Sequence, residues 1–380
     1  MRGAYNEVDP FAAVQSRMEQ WNSEVEKQHL IGPILHGITS FAVEGPHEMF
    51  SNSPSFFNCS TPADAVELVR YLKKRNITLI KVYNHIPREA FFALMQEATK
   101  AGIDVAGHKP LRVSTIEASN AGMKSLEHAM FFIWDSYPMA DSIRRLNNPS
   151  KAVSTAFRKE MLATHDSVML QKMFTTFKKN ATWYCPTHLT RKQDAFAGDE
   201  FFRTKYAGIN PVLRFISFED LDATLQEDTT SEAKEVYKAI YLKGLQISGA
   251  AYRSGVKILA GSDVPELPGS SLHEELTELS KTGMPNFEVL RTATLYPAQY
   301  YGLDSTYGSI REGKKGDLIL VSKNPLTAIE NTQTITSVFV DGKHFDEAFL
   351  NEVRQKVSKS EKSIVMSAKL IWDIVIYMSM

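Results

Sequence analysis

The strongest constraint on this chain is a series of short apolar segments, each fed by a helical stretch and each ending at an ionisable residue. Lys81 lies near the end of Ile77-Thr78-Leu79-Ile80-Lys81-Val82-Tyr83, and His108 closes Ile103-Asp104-Val105-Ala106-Gly107-His108. His128 closes Lys124-Ser125-Leu126-Glu127-His128, and Asp263 closes Val256-Lys257-Ile258-Leu259-Ala260-Gly261-Ser262-Asp263. Thr61-Pro62-Ala63-Asp64 offers an N-cap and a first-turn proline, opening a helix that carries Val66, Leu68, Val69 and Leu72 into the Lys81 segment. Further helices, over about 88–100 and about 114–121, stop at Gly102 and Gly122 and feed the His108 and His128 segments. Strand-helix alternation of this kind implies a parallel sheet. In a barrel of parallel strands, sites are built at the carboxyl ends.

The 380 residues suffice for an α/β barrel with extra strands. Val8, Phe11, Val14, Met18, Trp21 and Val25 predict a first helix, and Ile34 to Phe41 a strand. Residues 135–179 read as mostly helical and Thr182 to Thr187 as a strand. The polar stretch to Ser231 is expected to hold short helices. A helix over 232–253, a capping box at Ser271-Leu272-His273-Glu274 and a helix over 287–301 follow. Gly308-Ser309-Ile310, Gly316 to Val321, and Ile335 to Val340 before Asp341-Gly342 predict a small antiparallel sheet outside the barrel. The expected division is a barrel over 1–306, flanking strands over 307–345 and a helical tail over 346–380. The apolar end, 363–380, falls short of the ~20 residues a span requires. It reads as a docked amphipathic helix, with a membrane or partner anchor as the alternative.

A formal net charge of -1 leaves no basic field for nucleic acid. Cys59 and Cys185 are too few for a disulfide framework. Met1 to Glu7 contains no apolar h-region, so the cytoplasm is the default expectation.

Lys81 is the sharpest chemical signal, because an ammonium on a strand apolar on both sides is costly to bury. It can reach the open barrel end or pair with a carboxylate. Alternatively its pKa falls and the neutral amine takes up carbon dioxide, giving an anionic carbamate able to bridge metal ions. His108 and His128 on successive strands beside it suit a zinc-like ion, given acceptors for their second ring nitrogens. Asp263 either caps a turn or serves as general base and acid beside a metal-activated water. Tyr83 shares a strand face with Lys81 and reaches either ligand or core. His188, just past its strand, is a candidate substrate contact or a packing residue.

In order, these residues resemble the amidohydrolase superfamily, in its imidazolonepropionase-like and prolidase-like branch. Ile80-Lys81-Val82-Tyr83 is similar to its carboxylated-lysine strand. Ala106-Gly107-His108 and Leu126-Glu127-His128 are similar to its fifth- and sixth-strand histidine motifs, and Gly261-Ser262-Asp263 to its eighth-strand aspartate. Ser271 to Leu276 and Gly308 to Leu318 extend the likeness over most of residues 1–345. The resemblance implies a TIM-type (β/α)8 barrel with a small remnant of a flanking β-sandwich. It also implies hydrolysis of an amide, dipeptide or cyclic amide C–N bond by metal-activated water. Carboxylated Lys81, His108 and His128 would hold one divalent metal, zinc by expectation, with Lys81 and Asp263 shared with a second. Asp263 would move the proton.

Members of that family carry a His-x-His pair on the first barrel strand, and this chain has none. Aligned on the family, Met1-Arg2-Gly3 falls after the second strand, so the barrel is expected to be incomplete, lacking its first two strands. Either the chain is an amino-terminally truncated product, or the helix over 8–28, the tail over 363–380 or a partner chain closes the gap. A homo-oligomer is a further expectation. Two rivals follow: a one-metal hydrolase using Lys81, His108 and His128, and a catalytically inactive remnant acting as a binding or assembly protein.

Overall fold

The structure is a computed structural model describing residues 10–37, 39–46, 56–146, 154–264 and 266–379, with the side chains of Pro10, Asp220 and 373–379 excepted. Val8 and Met1-Arg2-Gly3, used in the sequence reading, lie outside the described residues.

Helix α1 (Pro10–Glu26) precedes β1 (Ala42–Glu44) and β2 (Phe56–Asn58). Then α2 (Pro62–Lys74) leads into β3 (Leu79–Val82), α3 (Arg88–Ala101) into β4 (Asp104–Gly107), and α4 (Thr115–Asn120) into β5 (Ser125–Glu127). Helices α5 (Met130–Asp135), α6 (Ala140–Arg144), α7 (Thr155–Ala163) and α8 (Ser167–Asn180) come before β6 (Trp183–Cys185). Next are α9 (His188–Phe196), α10 (Glu200–Thr204), α11 (Pro211–Glu227), α12 (Ser231–Arg253), α13 (Ser270–Ser280), α14 (Asn286–Thr292) and α15 (Leu295–Tyr300). Strands β7 (Leu318–Val321), β8 (Ile335–Val340) and β9 (Lys343–Phe345) form a separate antiparallel sheet, before α16 (Glu347–Glu361) and α17 (Ile364–Ser379).

The first sheet is parallel throughout, in the order β2-β1-β3-β4-β5-β6, and Ile258 extends it by a parallel bridge to Tyr184. Among the described residues no bridge joins β2 to the Ile258 segment, and the arrangement is that of an incomplete TIM-type barrel. Local chemistry accounts for its units. Thr61 caps α2 in a capping box with Asp64, and the buried positions Ala65, Leu68, Val69 and Leu72 form one helical stripe. Ser114 and Glu117 box the start of α4, and Gly102, at φ 68°, ends α3. Within the barrel core, Phe132, Phe174, Phe177 and Tyr184 pack edge to face or tilted. Phe11 of α1 is buried among Phe41, Phe57 and Tyr71, so α1 packs on the β1–β2 side.

Several elements differ from the sequence expectation. The strand expected at 34–41 begins later, at Ala42, with only a bridge from Thr39 to Leu79 before it. A parallel strand, β2, was not foreseen; three residues, Phe56–Asn58, are too few to register as a period. The polar stretch holds α11, 17 residues long, started by the Asn210 cap and Pro211. The capping box at Ser271 does not form. Gly269 takes the N-cap position, Ser271 Oγ meets Ser262 Oγ at 2.9 Å, and Glu274 pairs with Lys205. The helix over 287–301 is broken into α14 and α15, because Pro297 lacks the N–H that would continue it. Gly308-Ser309-Ile310 is not a strand, whereas Asp341-Gly342, at φ 49° and 79°, makes the expected β8–β9 turn. The tail does form a helix, and Asn210 donates to the Glu361 carbonyl and to Ser367, yet Ile364, Val365 and Trp372 remain exposed. Among the described residues no helix is long and apolar enough to cross a membrane.

Candidate metal centre

Register brings the candidate residues to one level. Lys81 pairs with Ala106, Ala106 with Ser125, and Glu127 with Cys185. Side chains two apart on a strand share a face, so Lys81, His108 and Glu127 point the same way. His128, as Glu127's neighbour, would face oppositely in a regular strand. It lies one residue past β5 in a left-handed conformation, φ 72°, which swings its ring round to the others. Gly107 makes the approach possible: at φ 123°, a Cβ there would lie 2.4 Å from the Val82 carbonyl oxygen and 3.0 Å from Lys81 Cδ.

Ligand-type atoms of His108, Glu127 and His128 all lie within 4.8 Å of one another. The two imidazoles face each other through Nε2, 2.8 Å apart. Their other nitrogens are tied back: His108 Nδ1 to Asn84 Oδ1 at 2.9 Å, and His128 Nδ1 to Thr187 Oγ1 at 2.7 Å. The Asn84 oxygen only accepts, so His108 Nδ1 carries the proton and its Nε2 presents a lone pair. Without an ion, His128 Nε2 donates to that lone pair and the Thr187 hydroxyl donates to His128 Nδ1. With an ion, the opposite His128 tautomer frees both Nε2 atoms. Burial, reinforced by the charges of Lys81 and Arg191, pushes His128 down to about 3. Burial likewise holds His108 well below the usual histidine range, helped by His128, Lys81 and Arg191. Both rings are therefore neutral at physiological pH, the form that binds metal. Two neutral imidazoles and a carboxylate, each histidine oriented by a second partner, fit a divalent cation.

Lys81 contacts the Glu127 carboxylate directly, the ion-paired alternative of the sequence reading. Asp263 Oδ2 lies 3.8 Å from His128 Nδ1, and its backbone too is left-handed, φ 55°. Desolvation by the surrounding chain raises the Asp263 carboxyl above the ordinary range, with Lys81 opposing. The Tyr83 ring lies over His108, centroids 4.0 Å apart at 31°. His188 is fully buried and neither ring nitrogen meets a partner among the described residues, so contact with a substrate would require α9 to move. The sequence reading missed Glu127, Asn84, Thr187 and Arg191. Glu127 stood beside a named histidine, on the strand face that alternation gives to Lys81 and His108. The others sit on loops or helices whose approach no local pattern records.

Residues 243–344 match the profile of the Amidohydrolase family. No curated protein sequence matches. Solved structures similar to this chain include a bottromycin amidohydrolase, 22% identical over 90% of this chain and 72% of its own, with a TM-score of 0.67. A Xaa-Pro dipeptidase with bound methionine is 18% identical over 87% of this chain and 72% of its own, with a TM-score of 0.57. A putative prolidase from Bifidobacterium longum is 17% identical over 88% and 74%, with a TM-score of 0.55. The chain thus has the fold of the amidohydrolase superfamily.

Proposed function

We propose that this amidohydrolase-type fold is a metal-dependent hydrolase of C–N bonds in small amides, dipeptides or cyclic amides. The observation that carries the reading is the convergence of His108, Glu127 and His128 at the carboxyl ends of β4 and β5. The dipeptidase and prolidase among the similar folds support a peptide-like substrate.

In this reading His108 and His128 would hold a divalent ion, zinc by donor chemistry. The third anionic donor is Glu127 as it stands, with the Lys81 ammonium balancing its charge, or the Lys81 carbamate that the family resemblance implies. Such an ion would supply Lewis acidity and lower the pKa of a water toward neutrality. Asp263 accepts the proton from the attacking water and returns it to the leaving nitrogen. Burial raises its pKa above that of an ordinary aspartate, which makes it the stronger proton acceptor. Tyr83, lying on the His108 ring, is assigned to substrate contact. His188 is assigned to the substrate only through movement of α9.

The test is metal analysis of purified protein joined to amide turnover. A bound divalent ion is expected, together with a turnover loss of about 10²–10⁴-fold in Asp263→Asn at unchanged metal content. Protein that takes up no zinc, manganese or iron, even with bicarbonate, sinks the hydrolase reading. The inactive binding-protein reading, motivated by the absent His-x-His, is eliminated by steady turnover that Asp263→Asn abolishes. Metal uptake undiminished by carbon dioxide removal favours Glu127 over a Lys81 carbamate.

A further inference from the structure

Helix α9 begins in an unusual way. Thr187 stands at its N-cap, and threonine there ordinarily accepts a bond from the helix's own first turn. It makes no such bond. Its backbone is left-handed, φ 45°, and its Oγ1 is turned to His128 Nδ1, 2.7 Å away. The first N–H groups of the helix go elsewhere: His188 N–H donates to Glu275 Oε1 at 2.9 Å and Leu189 N–H to Glu275 Oε2 at 3.0 Å. Glu275 belongs to α13 and is completely buried. A carboxylate enclosed in protein is expensive unless it is hydrogen-bonded. Here two backbone donors and the positive end of the helix supply the compensation. Both oxygens accept an N–H, yet burial outweighs those two bonds and leaves the carboxyl raised to about 8. One turn along, Glu278 is equally buried and accepts from Lys192 of α9 at 2.7 Å, so α13 grips α9 at two points.

We infer that Glu275 is a positioning residue of the candidate metal centre: it caps α9 in place of Thr187, and so leaves the Thr187 hydroxyl to orient the His128 imidazole. The inference rests on the metal-site reading above. Without Glu275, two helix-start donors lose their acceptor, and the cheapest remedy is for Thr187 to turn back to its own helix. His128 Nδ1 then loses the hydroxyl that donates to it in the metal-free protein and would accept from it in the metal-binding tautomer, so the ring is no longer held with Nε2 toward His108 and an ion.

The experiment uses the full chain and four variants: Glu275→Gln, Thr187→Val, Thr187→Ser and the Glu275→Gln/Thr187→Val double. Cobalt(II) titration reads metal affinity, and ¹⁵N spectra of histidine-labelled, metal-free protein read the His128 ring. Glu275→Gln and Thr187→Val are each expected to weaken cobalt binding by about 10–100-fold. The double variant should be no weaker than Thr187→Val alone, because both act through one contact. Thr187→Ser should retain wild-type affinity, and Glu275→Gln should shift the His128 ring resonances as Thr187→Val does. Lower thermal stability in Glu275→Gln with unchanged His128 resonances and cobalt affinity overturns the inference, as do additive losses in the double variant. If Glu275→Gln does not fold, Glu275→Asp, which retracts the same carboxylate, is read against the same criteria. If the wild-type chain binds no cobalt, the metal reading fails by itself. The metal-free His128 spectra then decide the Glu275 inference, and an unshifted ring rejects it.

Discussion

Acidifying the metal-free protein is expected to destabilise it through its site histidines, and His128 allows the size to be worked out. In the unfolded chain the ring titrates near 6.5, whereas burial and the charges of Lys81 and Arg191 lower it to about 3 in the fold. Below 6.5 the unfolded chain therefore binds a proton that the native ring refuses. Stability is fully present above that value, falls as the pH drops, and stops falling from this source near pH 3. At about 1.4 kcal/mol per pH unit, acidification from about pH 7.5 to about pH 4.5 costs roughly 3 kcal/mol through this ring. That is a large part of a typical total of about 5–15 kcal/mol. The assay is urea unfolding of chelator-treated wild type and His128→Gln at both pH values. Glutamine keeps hydrogen-bonding capacity toward His108 and Thr187 but cannot titrate. The variant should lose roughly 3 kcal/mol less than wild type over this interval. Equal losses in the two proteins would refute the assignment of a buried, neutral His128.

Two further substitutions test the frame that carries the site. Gly107→Ala places a methyl group 2.4 Å from the Val82 carbonyl oxygen at a φ of 123°. It should cost at least about 1–3 kcal/mol in urea unfolding, and an unchanged midpoint would count against the close β3–β4 approach. Phe11→Ala removes the buried ring that sits 5.0 Å from Phe41 and 5.4 Å from Phe57. A loss of about 3–5 kcal/mol is expected by the same measurement, and a negligible loss would mean that α1 does not seal the β1–β2 side. Zinc added at about 100 times its dissociation constant should stabilise wild type by about 2.7 kcal/mol. The same addition to a His108→Ala/His128→Ala variant should leave its melting temperature unmoved.

Much of the β3-to-β6 half was legible because each unit carries its own signals. Thr61 and Asp64 mark a helix start, Gly102 marks an end, and the short apolar run before Lys81 is a buried parallel strand whatever surrounds it. Legibility failed where an element is short or where another part of the chain decides the outcome. Strand β2 spans three residues, and the Asp263 segment joins the sheet by a single bridge at Ile258. Ser271 matched a capping pattern, but its hydroxyl is engaged by Ser262, which no spacing rule anticipates.

By itself the sequence determined that Lys81, His108 and His128 end successive parallel strands, because periodicity and helix punctuation are local and survive in a one-dimensional reading. Only the tertiary structure decided what those residues touch. It paired Lys81 with Glu127 and turned His128 out of strand geometry. It also drew Asn84 and Thr187 to the rear of the two rings and carried Glu275 from a distant helix to the start of α9. Such contacts depend on strand register, on a few left-handed backbone angles and on the high cost of leaving buried polar atoms unpaired. All three are settled only when separate segments meet.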